Sequence, residues 1–582
     1  MAILSTQTLI ASSTAVIAIA VALSVLPGWF SAKLLWFYSE TRCYVSVTTL
    51  SALNNATAEC ITFNPAGIVT AVFDDLISYP IYKAGTRYGY AYPGLWDGHG
   101  HLLQYGEMLQ SVNLFGSQSM DDVLGKISLY LDQNPQVGTS TEWLRGIGWD
   151  QAAFGGKMPT SSELEDDDSI KGKYIMLDRV DVHCVWVSQA VLNLLPDPLP
   201  ETPGGEVITT PGPGVFCDNA MDLVLKYFPK PSKVQKTKYI KNAMKDLNSL
   251  GIVGIHDAGV APADIKLYEE LVEDKDWSVR VYAMLECEKR NTVCFDDAFK
   301  VTRDDGLLDV RSVKLFADGA LGSWGSAMIT PYTDHTNSSG SLLVNASTLT
   351  DLTTAWATAG YQINIHAIGD LANRLAIDAM SAAFDVLCPD APRHDCQALH
   401  RFRIEHAQII HPDDQKRMFE LGIIPSIQPT HATSDMVYAE TRLGPQRTEE
   451  EAYRMRSLLP VNPVLGSDFP VEPANIFQGI FAAVTRRSPH TGLGADGGEK
   501  GWYADETLTL EDALKGFTLG PANAAFLEGK AGAIEVGGFA DWIVLDEPLD
   551  EMDIDELRSV KVRETWVGGK RVYRRYDKSV GY

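Results

Sequence analysis

From about residue 90 onward, short apolar runs rich in β-branched residues each end in polar ones, and helix-like stretches separate most of them. That alternation of strand and helix predicts a parallel sheet. Eight runs stand out: 91–101 (AYPGLWDGHGH), 251–259 (GIVGIHDAG), 279–285 (VRVYAML), 310–319 (VRSVKLFADG), 361–370 (YQINIHAIGD), 401–410 (RFRIEHAQII), 422–432 (GIIPSIQPTHA) and 461–471 (VNPVLGSDFPV). Eight strand-plus-helix units are the number that closes a (β/α)8 TIM barrel, whose active sites form at the C-terminal ends of the strands. The barrel is expected over 91–529. The first and second runs lie far apart, so about 105–240 is expected to be an inserted subdomain after barrel strand 1.

The two ends of the chain carry a different pattern. Residues 43–83 and 531–576 alternate apolar and polar positions, as half-buried antiparallel strands do. A small composite β-sandwich domain is expected from both termini, over 40–90 and 530–582. The basic segment 558–582 is read as a solvated strand face.

Residues 1–32 contain no Asp, Glu, Lys or Arg, and Leu9 to Phe30 is long enough to cross a hydrocarbon core of ~30 Å as one helix. Trp29, Trp36, Phe37 and Tyr38 follow, where aromatic rings suit a membrane interface. The expectation is a single-pass membrane anchor over 1–32. A cleaved signal peptide, which would leave a secreted protein, and a buried core helix are the alternatives. The side of the membrane stays open: Lys33 and Arg42 follow the segment, while Asn55-Ala56-Thr57, Asn337-Ser338-Ser339 and Asn345-Ala346-Ser347 are glycosylation sequons in chance-like number.

Composition narrows the function. Acidic residues outnumber basic ones 75 to 49, for a net charge of −26 in 582 residues, which argues against a nucleic-acid partner. The eight cysteines form no CxxC pair and no regular spacing, so neither a disulfide framework nor a zinc ribbon is indicated.

Six polar residues fall at the ends of five expected strands: His99 and His101, Lys314, His366, His406 and Asp468. Alternate residues of a strand share a face, so His99 and His101 can both look into the barrel mouth. Imidazoles are good ligands for zinc and related metals. One histidine alone is more often a core residue; the convergence of four at one end is what points to chemistry.

These motifs resemble the amidohydrolase superfamily. DGHGH is similar to its first metal motif, VKLFADGALGS to its metal-bridging lysine strand, INIHAIGD and RIEHAQ to its later histidine strands, and LGSDFPV to its catalytic aspartate strand. LTLEDALKGFTLGPANAAF and IEVGGFADWIVLD resemble the branch that includes N-substituted formamide deformylases, amidohydrolase family 3. Gly100 departs from the pattern, standing where a β-branched residue is usual. The resemblance implies two divalent metal ions, most readily Zn2+, held by His99, His101, His366 and His406 and bridged by Lys314 as its carbamate. It implies Asp468 as the general acid and base, and a small-molecule amide-type substrate with a C–N bond other than a peptide bond. A mononuclear deaminase, a cyclic-amide hydrolase and an inactive membrane-bound scaffold are the rival readings, and assembly as a homodimer is left open. His183, His256, Gln428 and His431 are candidate substrate contacts, and the loop 488–501 reads as a surface loop that could cover the mouth.

Overall fold

Every residue of Leu95–Gly100 and of Arg280–Leu285 is buried, as expected of strands covered on both faces. The computed structural model describes residues 39–53, 55–74, 88–179, 184–202 and 205–576. These divide into two units, Met1–His101 with Met244–Tyr582, and Leu102–Ala243.

The first unit contains the barrel. Its strands are β1 (Leu95–Gly100), β2 (Ile252–Val260), β3 (Arg280–Leu285), β4 (Leu308–Phe316), β5 (Gln362–Ala367), β6 (Arg403–His406), β7 (Ile424–Ile427) and β8 (Val464–Leu465). They pair in parallel in that order from β1 to β8. A parallel bridge from Gly100 to Phe469 joins β1 to the chain just after β8 and closes the ring. Each of the eight expected runs overlaps one of these strands.

The outer helices pack by a stripe of small and apolar residues. Asp370–Leu387 buries Ala372, Ala376, Ile377, Met380, Ala383 and Phe384, spaced three and four apart so that they share one face. Asn345 starts the neighbouring helix Ala346–Thr358 by accepting a hydrogen bond from the Thr348 amide, which satisfies one of its free donors. That helix buries Trp356 completely, and truncating it to alanine would cost about 3–5 kcal/mol.

Both ends of the described chain enter one seven-stranded sheet. Its order is 570–574, 564–567, 542–545, 90–93, 40–48, 57–63 and 69–73. Where a two-sheet sandwich was expected, the strands follow a single hydrogen-bonded path. Trp542 and Trp566 stack at 4.8 Å in its core, with Phe63 tilted against Trp542 at 5.4 Å.

The second unit holds a six-stranded mixed sheet, ordered 205–208, 215–218, 184–187, 175–179, 144–149 and 112–113. Trp149 and Trp186 meet edge to face at 6.2 Å in its core.

Two expectations need correction. All eight cysteines pair, as Cys43–Cys60, Cys184–Cys217, Cys287–Cys294 and Cys388–Cys396. Sequence spacing hid this, because the first two pairs are cross-strand neighbours brought together by sheet register. The reading as a single-pass membrane protein is also corrected: among the described residues no helix is long and apolar enough to cross a membrane. The expected anchor over 1–32 lies outside the described residues.

Candidate metal centre

The inward positions of β1 form a ladder. Asp97 lies deepest, and its carboxylate accepts hydrogen bonds from the His99 amide, the Ser467 amide and the Ser467 hydroxyl. His99 is next, and His101 stands at the strand end. Burial pushes the Asp97 carboxyl up to about 7 against those three donors. Asp97 thereby ties β1 to the turn after β8 that carries Asp468, and the Asp468 amide donates to the His99 carbonyl at 2.7 Å.

Asp468 is where the site converges. One carboxylate oxygen lies 2.9 Å from Nε2 of His101 and 3.5 Å from Nε2 of His99, and the other lies 3.6 Å from Nε2 of His431. Its φ is +63°, in the left-handed region that strains most non-glycine residues and that aspartate tolerates better than most. Burial alone would raise its pKa. The His101 hydrogen bond and the His99 and His406 imidazoles outweigh burial and hold it well below the usual carboxylate range.

His406 shows the same strain. Strand alternation puts Arg403 and Glu405 on the inner face and would send His406 outward. Positive φ at His406 (72°) and Ala407 (42°) breaks the alternation. The His406 ring then lies 4.8 Å from that of His99 and 4.4 Å from that of His366. Its Nδ1 is 3.0 Å from Oε1 of Gln428.

Lys314 and His366 come from the inward positions of β4 and β5. The Lys314 Nζ lies 3.2 Å from Nε2 of His99. Burial lowers its pKa, and Glu405 and Asp468 pull in the opposite direction. Burial likewise lowers His99, to about 4, and holds His366 and His406 well below the usual imidazole range; the Lys314 charge reinforces this at all three, and Arg290 adds to it at His366. These imidazoles are therefore neutral at physiological pH, the form that can bind a cation. Nε2 of His366 and of His431 are enclosed with no hydrogen-bond partner among the described residues. Such atoms are costly unless something binds them.

At this site two groups have ligand atoms within 4.8 Å of one another, His99 with His101 and Asp468, and His406 with His431 and Asp468. Imidazole nitrogens with a carboxylate oxygen form a donor set that suits zinc and its neighbours. Of the expected site residues, the structure gathers His99, His101, Lys314, His366, His406, Asp468, Gln428 and His431. His183 lies outside the described residues. His256 is corrected from a substrate contact to a buried core residue. Its ring is 0% exposed, packs against Trp96 and Tyr282, and hydrogen-bonds Arg403 through Nδ1.

Sequence reasoning missed the layer beneath. Arg403 fills it, bonding the Gly98 carbonyl at 3.0 Å, the Ser426 hydroxyl at 3.0 Å and Glu405 at 2.9 Å. Glu405 in turn reaches Nδ1 of His99. The one available signal was their spacing: two charged residues on the inner face of a barrel strand must find partners. Asp318, pushed up to about 7 by burial, accepts from the amides of Ile368, Gly369 and Ala327 and stands 3.7 Å from Nε2 of His366.

A family profile described as "Amidohydrolase family" matches residues 89–573. The chain is 29% identical over 509 residues to the protein LONG AFTER FAR-RED 3 of Arabidopsis thaliana, an alignment covering 83% of this chain and 82% of that one. It is 24% identical over 511 residues to an N-substituted formamide deformylase of Arthrobacter pascens, covering 83% and 88%. Its fold is similar to the crystal structure of an uncharacterized metal-dependent hydrolase from Pyrococcus furiosus, with a TM-score of 0.70 at 24% identity over 88% of this chain and 99% of that one.

Proposed function

The chain belongs to the amidohydrolase family, and from that premise we propose that it hydrolyses an amide- or formamide-type C–N bond of a small molecule. The observation that carries this reading is the convergence of four imidazoles, Lys314 and Asp468 at the C-terminal end of one barrel. Similarity to a formamide deformylase supports the choice of bond.

His99, His101, His366, His406 and Lys314 would hold two divalent ions, with zinc favoured by the nitrogen donors. Lys314 can serve only with its positive charge removed, and reaction of its amine with carbon dioxide, giving a carbamate, does that. When bound, such ions supply Lewis acidity toward a carbonyl and toward water.

The chain's own groups do the rest. Asp468, an ionised carboxylate at the centre of the site, accepts a proton from the attacking water and returns it to the departing nitrogen. His431 and Gln428, on the segment after β7, bind the substrate beside it. Nε2 of each, which has no hydrogen-bond partner among the described residues, is the atom left to do so.

The test is metal content measured together with turnover. Protein expressed with zinc should carry two ions per chain and release amine from a panel of N-formyl and N-acyl amines. Lys314→Ala should lose metal, and Asp468→Asn should lose turnover by about 100- to 10,000-fold. Protein that takes up no metal under these conditions overturns the reading, and one ion per chain reduces it to a mononuclear site.

A further inference from the structure

Beyond the residues already described, the barrel mouth carries a short cross-linked loop after β3. Inward positions of β3 alternate through Tyr282 and Met284, and the next in phase is Glu286, just past the strand. The Glu286 amide donates to the Val260 carbonyl at 3.0 Å. Its carboxylate occupies the space where a Cβ would stand on Gly259, a residue with φ +117°. The chain then closes on itself through Cys287–Cys294.

The loop is fastened to the lysine strand. The Asn291 side chain donates to the Phe316 carbonyl and accepts from the Phe316 amide, both at 2.9 Å, so it replaces a strand neighbour at the end of β4. The Thr292 carbonyl accepts from Nε1 of Trp356 at 3.2 Å. An eight-residue disulfide loop tied at these points holds its middle in place.

What it holds there is Arg290. The guanidinium stacks over the Phe316 ring at 4.0 Å, and that ring lies 5.5 Å from His366. Glu286 takes its Nε at 3.1 Å, while the side chain remains 56% exposed. Among the described residues neither terminal nitrogen is given to another protein group, so the two N–H groups that form a fork remain available. A guanidinium whose Nε and flat face are both engaged is prepared for a planar, bidentate acceptor. In a chain of net charge −26, it places a cation beside the site.

We infer that Arg290 is a specificity-determining residue that grips a carboxylate on the substrate, so that the preferred substrates are amides carrying a carboxylate near the scissile bond. This rests on the hydrolase reading above and names its substrate class.

The experiment compares N-formyl-leucine with N-formyl-3-methylbutylamine, which has the same skeleton without the carboxylate, using the metal-loaded full chain. The wild type should favour the acid in kcat/KM by at least about tenfold. Arg290→Gln should cost the acid about 30-fold and collapse the acid-to-neutral ratio toward one, and Arg290→Lys should recover only part of it. No preference in the wild type, or an unchanged ratio in Arg290→Gln, overturns the inference. Should the wild type hydrolyse neither compound, calorimetric binding of N-formyl-leucine separates the two claims. Binding lost in Arg290→Gln keeps the carboxylate site and removes the formamide-hydrolase reading, whereas binding that is absent or indifferent to Arg290 removes the carboxylate site.

Discussion

Glu405 accepts a hydrogen bond from Nδ1 of His99 at 2.6 Å, with both side chains wholly inside the barrel. A proton kept on Nδ1 leaves the Nε2 lone pair facing Asp468 and Lys314, so Glu405 selects the tautomer that can bind a metal. Glu405→Gln keeps the size but offers a weaker, neutral acceptor. It should weaken metal affinity about 10- to 100-fold, read by competition against a chelator of known affinity. Glu405→Ala should do something different, because it strands Arg403 as a buried unpaired charge. That costs about 3–5 kcal/mol and should appear as lost folded protein instead of lost metal.

Gly100 answers the one departure from the family's first motif. A Cβ there would overlap the Phe469 ring, which follows Asp468 directly. The amide of His101 also donates to the Phe469 carbonyl at 2.8 Å, so ring and backbone fix the Asp468 turn against the end of β1. Gly100→Val, which restores the usual β-branched residue, should push Phe469 away and displace Asp468. The expected result is at least a tenfold fall in kcat with the global unfolding temperature changed by only a few degrees, since overpacking at one rim costs about 1–3 kcal/mol.

The histidines were legible in the sequence because a polar residue at the end of an apolar β-branched run conflicts with burial unless it has work to do. The strands were legible for the same reason in reverse: parallel strands covered on both faces are written as nearly unbroken apolar runs. Glu405 and Arg403 were not, because a charge inside a run can be read as an edge or a turn, and only the barrel's closure shows that both are enclosed together with His256. His406 was found by motif although its side chain defies strand alternation, which no periodicity argument anticipates. The cysteine pairs were hidden for a third reason. Cys43 meets Cys60 and Cys184 meets Cys217 through strand register, a property of folded neighbours that linear spacing does not contain.

Those pairs can be checked chemically. Protein produced under oxidising conditions should present no free thiol in denaturant until reductant is added, and eight thiols afterwards. The bridges should also differ in weight. Cys184–Cys217 spans 33 residues and Cys287–Cys294 spans 7. Constraint of the unfolded chain then gives about 4 kcal/mol for the first and about 2.5 kcal/mol for the second. Replacing Cys184 and Cys217 together by serine should therefore sensitise the 102–243 unit to limited proteolysis. Replacing Cys287 and Cys294 should leave proteolysis nearly unchanged and act on substrate KM, through the loop that carries Arg290.

Glu451 supplies a pH dependence away from the histidine cluster. It is only 7% exposed, and its carboxyl is pushed from an ordinary 4.5 up to about 7, first by burial and then by the neighbouring Asp370. Asp370 is itself enclosed and raised by burial, with one oxygen accepting from the amides of Ile329 and Leu371. Glu451 therefore keeps its proton in the folded state between pH 4.5 and 7, where the unfolded chain has already released it. Stability must then fall as pH rises across that window, being fully present below about 4.5 and lost above about 7. Glu451→Gln, which remains neutral and still has a donor to offer Asp370, removes the group that titrates. At pH 5 the variant should melt within about a degree of the wild type, and at pH 8 it should melt roughly 2 °C higher, as a gain of about 2 kcal/mol implies. Equal shifts at the two pH values would show that Glu451 is already ionised in the folded protein and that its enclosure beside Asp370 does not hold the proton.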